Sequence, residues 1–324
     1  MTEPKIVVYT ALFGNYSGLI EQPKIEGVDY ICYTDQDFTS NSWKIIKVEP
    51  PILNDNTRSN RYYKINPHLH LKEYETSVYI DANYLIIADF SSMVINKLKD
   101  FDMVCFDHNQ TILDPRDCIY KEHEELVKIA EINNNHRDSL EVMEDQINYL
   151  KSNCYPQNNG LIFAAVLIRK HNKEDVKALM ELWWGFVKKR SKRDQLSFNY
   201  CTWKLNFKKI LYLSCDLRRG NPWFYWFDHK LDFSKDLKEL RKEIFIKKHL
   251  PLIRTFLNSK FVKKLVFITT YPYIKLKFTT WCKRYYKGTL TQEEELYLFK
   301  KTKKNYFTKS DIVSQIYKLT KGKH

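Results

Sequence analysis

Three groups of residues in this 324-residue chain have types and spacings suited to phosphate or cation chemistry. The first is Asp81 and Asn83, two oxygen donors two positions apart at the point where the run Ser77-Val78-Tyr79-Ile80 ends. At the carboxyl end of a strand such a pair can share a hard divalent cation, or it can simply turn the chain. The second is Arg58, Arg61 and Lys64, which recur every three residues and therefore lie along one side of a helix. Cations in that row can clamp phosphates, arginine through its planar fork, or form a solvated basic face. The third is Arg193-Asp194-Gln195, just ahead of a helical pattern, where Asp194 can cap the helix or present a carboxylate to a ligand.

Positioning these groups requires strands and helices in alternation. Short β-rich runs are read near 5–10, 29–34, 43–48, 77–82, 102–107 and 161–169, and helices over 57–72, 91–98, 116–132, 138–152, 173–190 and 194–204. That order predicts an α/β fold, a single Rossmann-like, mostly parallel sheet with helices on both faces. Ligands then gather outside the carboxyl ends of the strands. Thr10, Ala11 and Gly14 follow the first strand, small enough for a backbone to approach a ligand, although the glycine-lysine-serine/threonine ending of a phosphate loop is missing. Asp35 closes the second strand, able to accept hydrogen bonds from a base or ribose or to cap a turn. Tyr62 and Ile65 are expected to face the core, as are Trp183 and Trp184, which sit in a helically spaced apolar run.

Charge divides the chain. Residues 231–324 carry 23 Lys and Arg against 8 Asp and Glu, so this segment holds +15 of a whole-chain +14 and the first 230 residues are close to neutral. The split predicts a body over 1–232 and a basic, mostly helical C-terminal region over 233–324, with breaks at Pro251 and Pro272 and a turn at Gly288. Aromatic residues such as Phe256, Phe261, Phe267, Tyr271 and Trp281 interleave there with lysines, a composition suited to an anionic membrane surface or to a solvated helical subdomain. The apolar run Leu265–Ile274 is too short to span a bilayer, which takes about 20 residues. Seven cysteines without a CxxC pair argue against a disulfide framework or structural zinc and for a reducing compartment. The strand-like run Lys5-Ile6-Val7-Val8-Tyr9 begins without a charged-then-apolar leader, so a cytoplasmic chain, peripheral on the inner membrane face, is expected. No nucleic-acid motif is recognisable, and no nucleic-acid partner is expected.

The blocks Val8 to Tyr16, Asp29 to Asp35, Arg58 to His68, Tyr79 to Asn83 and Arg193 to Phe198 resemble, in order, a family of glycosyltransferase-like proteins that includes plant members linked to seed mucilage and turgor regulation and many bacterial ones. The resemblance covers roughly residues 5–230. It implies the GT-A architecture for that body, ahead of the basic helical C-terminal extension read from the charge, and transfer of a sugar from a nucleotide-sugar donor, a UDP-sugar, to a glycan or lipid-linked acceptor; with the basic tail it points to bacterial surface-polysaccharide synthesis. A divalent metal, Mn2+ or Mg2+, is implied at Asp81 and Asn83, Asn83 departing from the usual second carboxylate, with His229 as third ligand and Asp228 as its competitor. Thr10, Ala11, Asp35, Arg58, Arg61, Lys64 and Asp81 fall on the donor side, and Arg193, Asp194 and Gln195 on the catalytic one. In an inverting enzyme Asp194 is the general base; in a retaining one it orients the donor sugar or stabilises charge at the anomeric carbon. Asn158, Asn159 and Gly160 are read as an acceptor-side loop or a plain turn. The segment from His108 to Asp117 is read as a loop over the sugar, with Arg116 and Glu122 binding the sugar or pairing with neighbours on the helix surface. Two other classes fit less well: a sugar nucleotidyltransferase, whose glycine-rich basic loop is missing at Ala11-Leu12-Phe13-Gly14-Asn15, and a non-catalytic protein built on the basic tail.

Overall fold

Strand β1, Ile6–Leu12, is buried at every position, and its alternate side chains enter two different cores. Val7, Tyr9 and Ala11 join one apolar cluster; Ile6 and Val8 join the other. A strand apolar on both faces can only be central in a covered sheet. The computed structural model describes residues 6–111, 114–133, 137–219 and 221–229.

The further elements are β2 (Val28–Thr34), β3 (Lys44–Lys47), α1 (Asn56–Ile65), α2 (Pro67–His70), β4 (Thr76–Ile80), β5 (Tyr84–Ile86), α3 (Ser91–Asp100), β6 (Met103–Asp107), α4 (Ile119–Asn133), α5 (Leu140–Ser152), β7 (Ile162–Arg169), α6 (Glu174–Lys189), α7 (Phe198–Lys204), β8 (Ile210–Leu213) and β9 (Phe224–Trp226). Short 3-10 turns lie at His108–Gln110 and Asp194–Leu196. Seven strands form one sheet in the order β3-β2-β1-β4-β7-β6-β8. Only β7 runs against its neighbours, pairing antiparallel with β4 and β6; the other adjacent pairs are parallel. Helices α1, α5, α6 and α7 contribute to the core on one face, and α3 with the small β5–β9 ribbon covers the other. Trp183 is fully buried, and Trp184 packs at the edge of the same core.

The architecture is the mixed α/β arrangement read from the pattern, and three strands escaped that reading. β5, β8 and β9 have three or four residues each, too few for a period-2 pattern to register. The expected helix over 57–72 is two, because Pro67 cannot supply the N–H that a continuous helix would need and starts α2 instead. The expected helix over 194–204 is a 3-10 turn and then α7, broken at Ser197.

The chain divides into units Met1–Glu239 and Leu240–His324. The expected basic helical region, with Pro251, Pro272, Gly288 and the aromatic-lysine stretch, lies outside the described residues. Among the described residues no helix is long and apolar enough to cross a membrane, and the six described cysteines are free.

Candidate functional site

The carboxyl ends of β1 and β4 and the start of antiparallel β7 reach the same edge of the sheet. Asp81 follows β4 directly, and its backbone N–H donates to Ala165 O at 2.9 Å, which seals the β4–β7 seam beneath the site. A cavity of about 670 Å³ opens over this edge, within the range of ligand sites. Its walls come from the β1 loop (Ala11 to Ser17), α1 (Asn56, Asn60, Arg61, Lys64), Asp81 and Ala82, Phe163 to Ala165, Lys192 to Gln195, Arg137 and His229.

Four charged side chains form its floor. Asp194 Oδ2 is 2.6 Å from Lys64 Nζ and 3.0 Å from Arg61 Nε, and Lys64 Nζ is 3.8 Å from Asp81 Oδ1. Only Asp81 is substantially open, with 32% of its side chain exposed against 3% for Asp194 and 2% for Lys64. Burial would raise the Asp194 pKa, but the charges of Arg61, Lys64 and Arg193 outweigh it and hold the carboxyl well below the usual carboxylate range. Burial pulls Lys64 in the opposite direction, below an ordinary lysine, against the pull of Asp194 and Asp81. Asp194 also accepts from its neighbour Gln195 N at 3.0 Å, and its carbonyl accepts from Trp183 Nε1 at 2.9 Å, so backbone and carboxylate are both fixed.

Supporting hydrogen bonds hold this floor in place. Tyr79 OH donates to Asp81 Oδ1 at 2.9 Å, and Asn60 Nδ2 donates to Ala11 O. Behind Lys64, its backbone carbonyl accepts from Tyr9 OH at 2.8 Å and from fully buried Arg169 at 2.9 Å. A guanidinium at the C-terminal end of α1 faces the negative pole of that helix, which favours its charge there. The Asp194 turn is stapled by Gln146, which is fully buried: its Nε2 donates to Leu196 O at 2.7 Å and its Oε1 accepts from Ser191 N at 3.0 Å.

The sequence-read residues part company here. Of the row Arg58, Arg61 and Lys64, the last two enter the cavity and Arg58 does not. Arg58 pairs with Asp55 and donates to the carbonyls of Val187 (3.0 Å) and Arg190 (2.6 Å), tying α1 to the end of α6. A rotation of about 100° per residue points Arg58 about 60° away from Arg61 and about 120° away from Lys64, enough to send it to a different neighbour. Ala11 lines the cavity while Thr10 is buried in the sheet. Asp35 receives Gly14 N on both oxygens at 3.1 Å and so shapes the β1 loop. Gly14 has φ +64, and a Cβ there would run into the Asn56 amide. Arg193 and Gln195 line the cavity. Gln195 Nε2 donates to Ile162 O at 2.9 Å, and Arg193 lies 3.6 Å from Glu122 and donates to Gln195 Oε1 at 3.3 Å.

Asn83 is 1% exposed and does not line the cavity. Its side-chain Nδ2 donates to Phe227 O at 2.6 Å, and its backbone carbonyl accepts from Phe227 N at 3.0 Å. That two-way clamp, with the β5–β9 ribbon, brings the 227–229 segment back to the cavity wall, where the His229 ring meets Tyr16 at 4.7 Å. Partial desolvation lowers the His229 pKa, with Asp81 opposing and Arg137 reinforcing the shift. Asp228 is exposed and absent from the lining. Beside the cavity, Arg116 bonds Glu122 at 2.8 Å and contacts buried His108 at 3.4 Å, so it joins the other two. The Asn158–Gly160 loop is a turn with two left-handed residues, Asn158 and Gly160, held by Asn158 N donating to Cys118 Sγ. Among the described residues no three His, Cys, Asp or Glu side chains cluster as a metal site.

Sequence reasoning overlooked Asn60, Arg137, Phe163 and Lys192 in the cavity wall. Asn60 had a signal, since Asn56, Asn60 and Lys64 repeat every four residues. Arg137 and Lys192 had none, being brought together only by the fold.

A family model described as a TOD1/MUCI70 glycosyltransferase-like domain matches residues 29–219. Among solved structures the chain is similar to the apo form of the bifunctional glycosyltransferase WbbM, at 11% identity and TM-score 0.38, covering 66% of this chain and 39% of that one. It is similar to the mannosyltransferase Ktr4p from S. cerevisiae at 13% and 0.32, covering 57% and 61%. For the galactosyltransferase LgtC, solved with donor and acceptor sugar analogues, the values are 15% and 0.34, covering 64% and 72%. The chain thus spans less than two thirds of the first two, 39% and 61%. No curated protein matches the sequence significantly.

Proposed function

The chain belongs to the TOD1/MUCI70 glycosyltransferase-like family, and from that premise we propose that it moves a sugar from a nucleotide-sugar donor, a UDP-sugar, to a glycan or lipid-linked glycan acceptor with help from Mn2+ or Mg2+. The observation that carries the reading is the floor of alternating charge, Asp81, Lys64, Asp194 and Arg61, at the carboxyl edge of the sheet.

The donor set suits a hard divalent cation sparingly. Asp81 turns a part-exposed carboxylate into the cavity and His229 stands on the same wall, so these two would hold the ion, with phosphate and water completing its shell. Asn83, its amide spent on Phe227, would act one step back by fixing the segment that bears His229. A cation bound there supplies positive charge against the departing diphosphate.

Asp194 would face the sugar. A carboxylate engaged by two cations has little appetite for a proton, whereas a general base works best with a pKa near the operating pH. The reading that fits is therefore orientation of the donor sugar and stabilisation of positive charge at its anomeric carbon. Arg61 and Lys64 would keep Asp194 ionised, and Arg193 and Gln195 would hold the wall beside it. The β1 loop at Ala11, shaped by Asp35 through Gly14, would take the nucleoside, with Thr10 and Arg58 acting in the scaffold. The catalytic body would end near residue 232, and the basic region 233–324 would rest on anionic lipid at the cytoplasmic membrane face, where a bacterial surface polysaccharide would be assembled on a lipid carrier.

Thermal stabilisation by UDP with and without MnCl2 tests this reading, with Asp81→Ala in parallel. A metal-dependent rise in Tm that the variant loses supports it; folded wild-type protein that answers to no nucleotide diphosphate refutes it.

A further inference from the structure

Resting on that reading, we propose that the acceptor is anionic, carrying a carboxylate or phosphate that Arg137 and Lys192 receive at the cavity wall.

The cavity lining contains five cationic side chains, Arg61, Lys64, Arg137, Lys192 and Arg193, and two carboxylates, Asp81 and Asp194. Three of the cations are already answered: Arg61 and Lys64 by Asp194 and Asp81, and Arg193 by Glu122. Arg137 and Lys192 form no ion pair among the described residues. They come from distant parts of the chain and are brought together by Asp138. That carboxylate accepts from Ser191 Oγ and Lys192 N, both at 2.7 Å, and from Ser139 N at 2.9 Å. That carboxylate therefore spends its oxygens on hydroxyl and backbone donors, which joins the two segments, and it forms no ion pair with either neighbouring side-chain cation. Lys192 acts electrostatically on Asp55, which is itself paired with Arg58, and Arg137 on His229.

Donor binding does not consume this charge. A nucleoside diphosphate sugar carries two negative charges on its diphosphate, and a divalent cation held at Asp81 would supply the two positive charges that balance them. The Arg137–Lys192 excess would then persist in the donor-loaded protein, where the next molecule to enter is the acceptor. A cavity wall with unanswered cations recruits and orients an anion, and each charge-assisted hydrogen bond to it is strong.

The test uses the full-length protein saturated with UDP and MnCl2, titrated calorimetrically with inorganic phosphate, with methyl glucuronide, and with methyl glucoside as the neutral control. Phosphate or the glucuronide is expected to bind the UDP-loaded protein while the glucoside does not, and the stronger of the two names the anionic group. Arg137→Gln and Lys192→Gln are each expected to weaken that second anion about tenfold or more and UDP less than about threefold. The proposal falls if neither anion binds beside UDP, if the anion competes with UDP, or if the variants weaken UDP as much as the second anion, which would give both cations to the donor diphosphate. A wild-type protein that binds no UDP at all would instead sink the donor-site reading.

Discussion

Lys64 and Lys47 each touch a carboxylate, at 2.6 Å from Asp194 and 2.5 Å from Asp37, yet the two contacts serve different ends. The first pair lies in the cavity floor with 2% and 3% of its side chains exposed; the second joins the end of edge strand β3 to the loop before it, with 60% and 88% exposed. Water screens the outer pair and competes for both partners, so its geometry carries little energy. In the floor, desolvation has already been suffered on folding, and each charge is tolerable only because the others are in place. A protein built for stability alone gains little from such an array. Its persistence at the carboxyl edge of the sheet, beside an open Asp81, is what a site for a charged ligand requires.

Removing one member separates the two regions most sharply. Asp194→Ala leaves Arg61 and Lys64 buried with only the part-exposed Asp81 to oppose two charges and is expected to cost about 3–5 kcal/mol in urea unfolding; recovery of part of that loss in Asp194→Ala/Lys64→Met would show that the cost is the undercompensated charge. Acid reaches a different buried set. Burial, reinforced by Arg116 and Arg218, lowers the His108 pKa to about 4, and burial lowers His171 to about 4 as well. Below the unfolded value of about 6.5 the unfolded chain takes up protons that the folded one refuses. Stability contributed by the two neutral rings is thus present above pH 6.5 and is lost as pH falls toward 4, by at most about 1.4 kcal/mol per pH unit for each ring. A flat stability profile across that window would contradict it, and His108→Gln should shallow the slope.

Smaller effects test how the floor is held. Gln146→Leu strands the buried Ser191 N–H and Leu196 carbonyl and is expected to cost about 1–3 kcal/mol, with weaker UDP stabilisation because the Asp194 turn loosens. Asn83→Ala releases Phe227 and with it His229; the MnCl2 concentration needed for half-maximal UDP stabilisation should rise about tenfold or more while the metal-free UDP affinity stays put. Asp37→Ala, at the other end of the comparison, should leave the unfolding midpoint within error; a clear loss there would mean that exposed pairs matter in this fold.

Most of the frame was legible. The long strands and helices repeat their apolar residues with the right period over enough positions to be read, from β1 through α6; Asp81 and Asp194 were singled out by their places at a strand end and ahead of a helix, and Arg61 and Lys64 by their spacing. The three-residue strands β5 and β9 were not, and with them went the reason for Asn83: an amide at a strand end looks like a ligand until Phe227 is found 144 positions away accepting from it. Arg58 likewise shares the spacing of Arg61 and Lys64 but belongs to the junction of α1 and α6.

The sequence by itself therefore determined the α/β alternation, the strand end that carries the acid, and the concentration of positive charge after residue 230, because each is a local pattern of type and spacing. Which cations answer a carboxylate, which stay unanswered beside the cavity, and which polar groups are turned inward as struts were decided only by the tertiary structure. Charge becomes costly or available through desolvation, and desolvation depends on neighbours that the chain order keeps far apart.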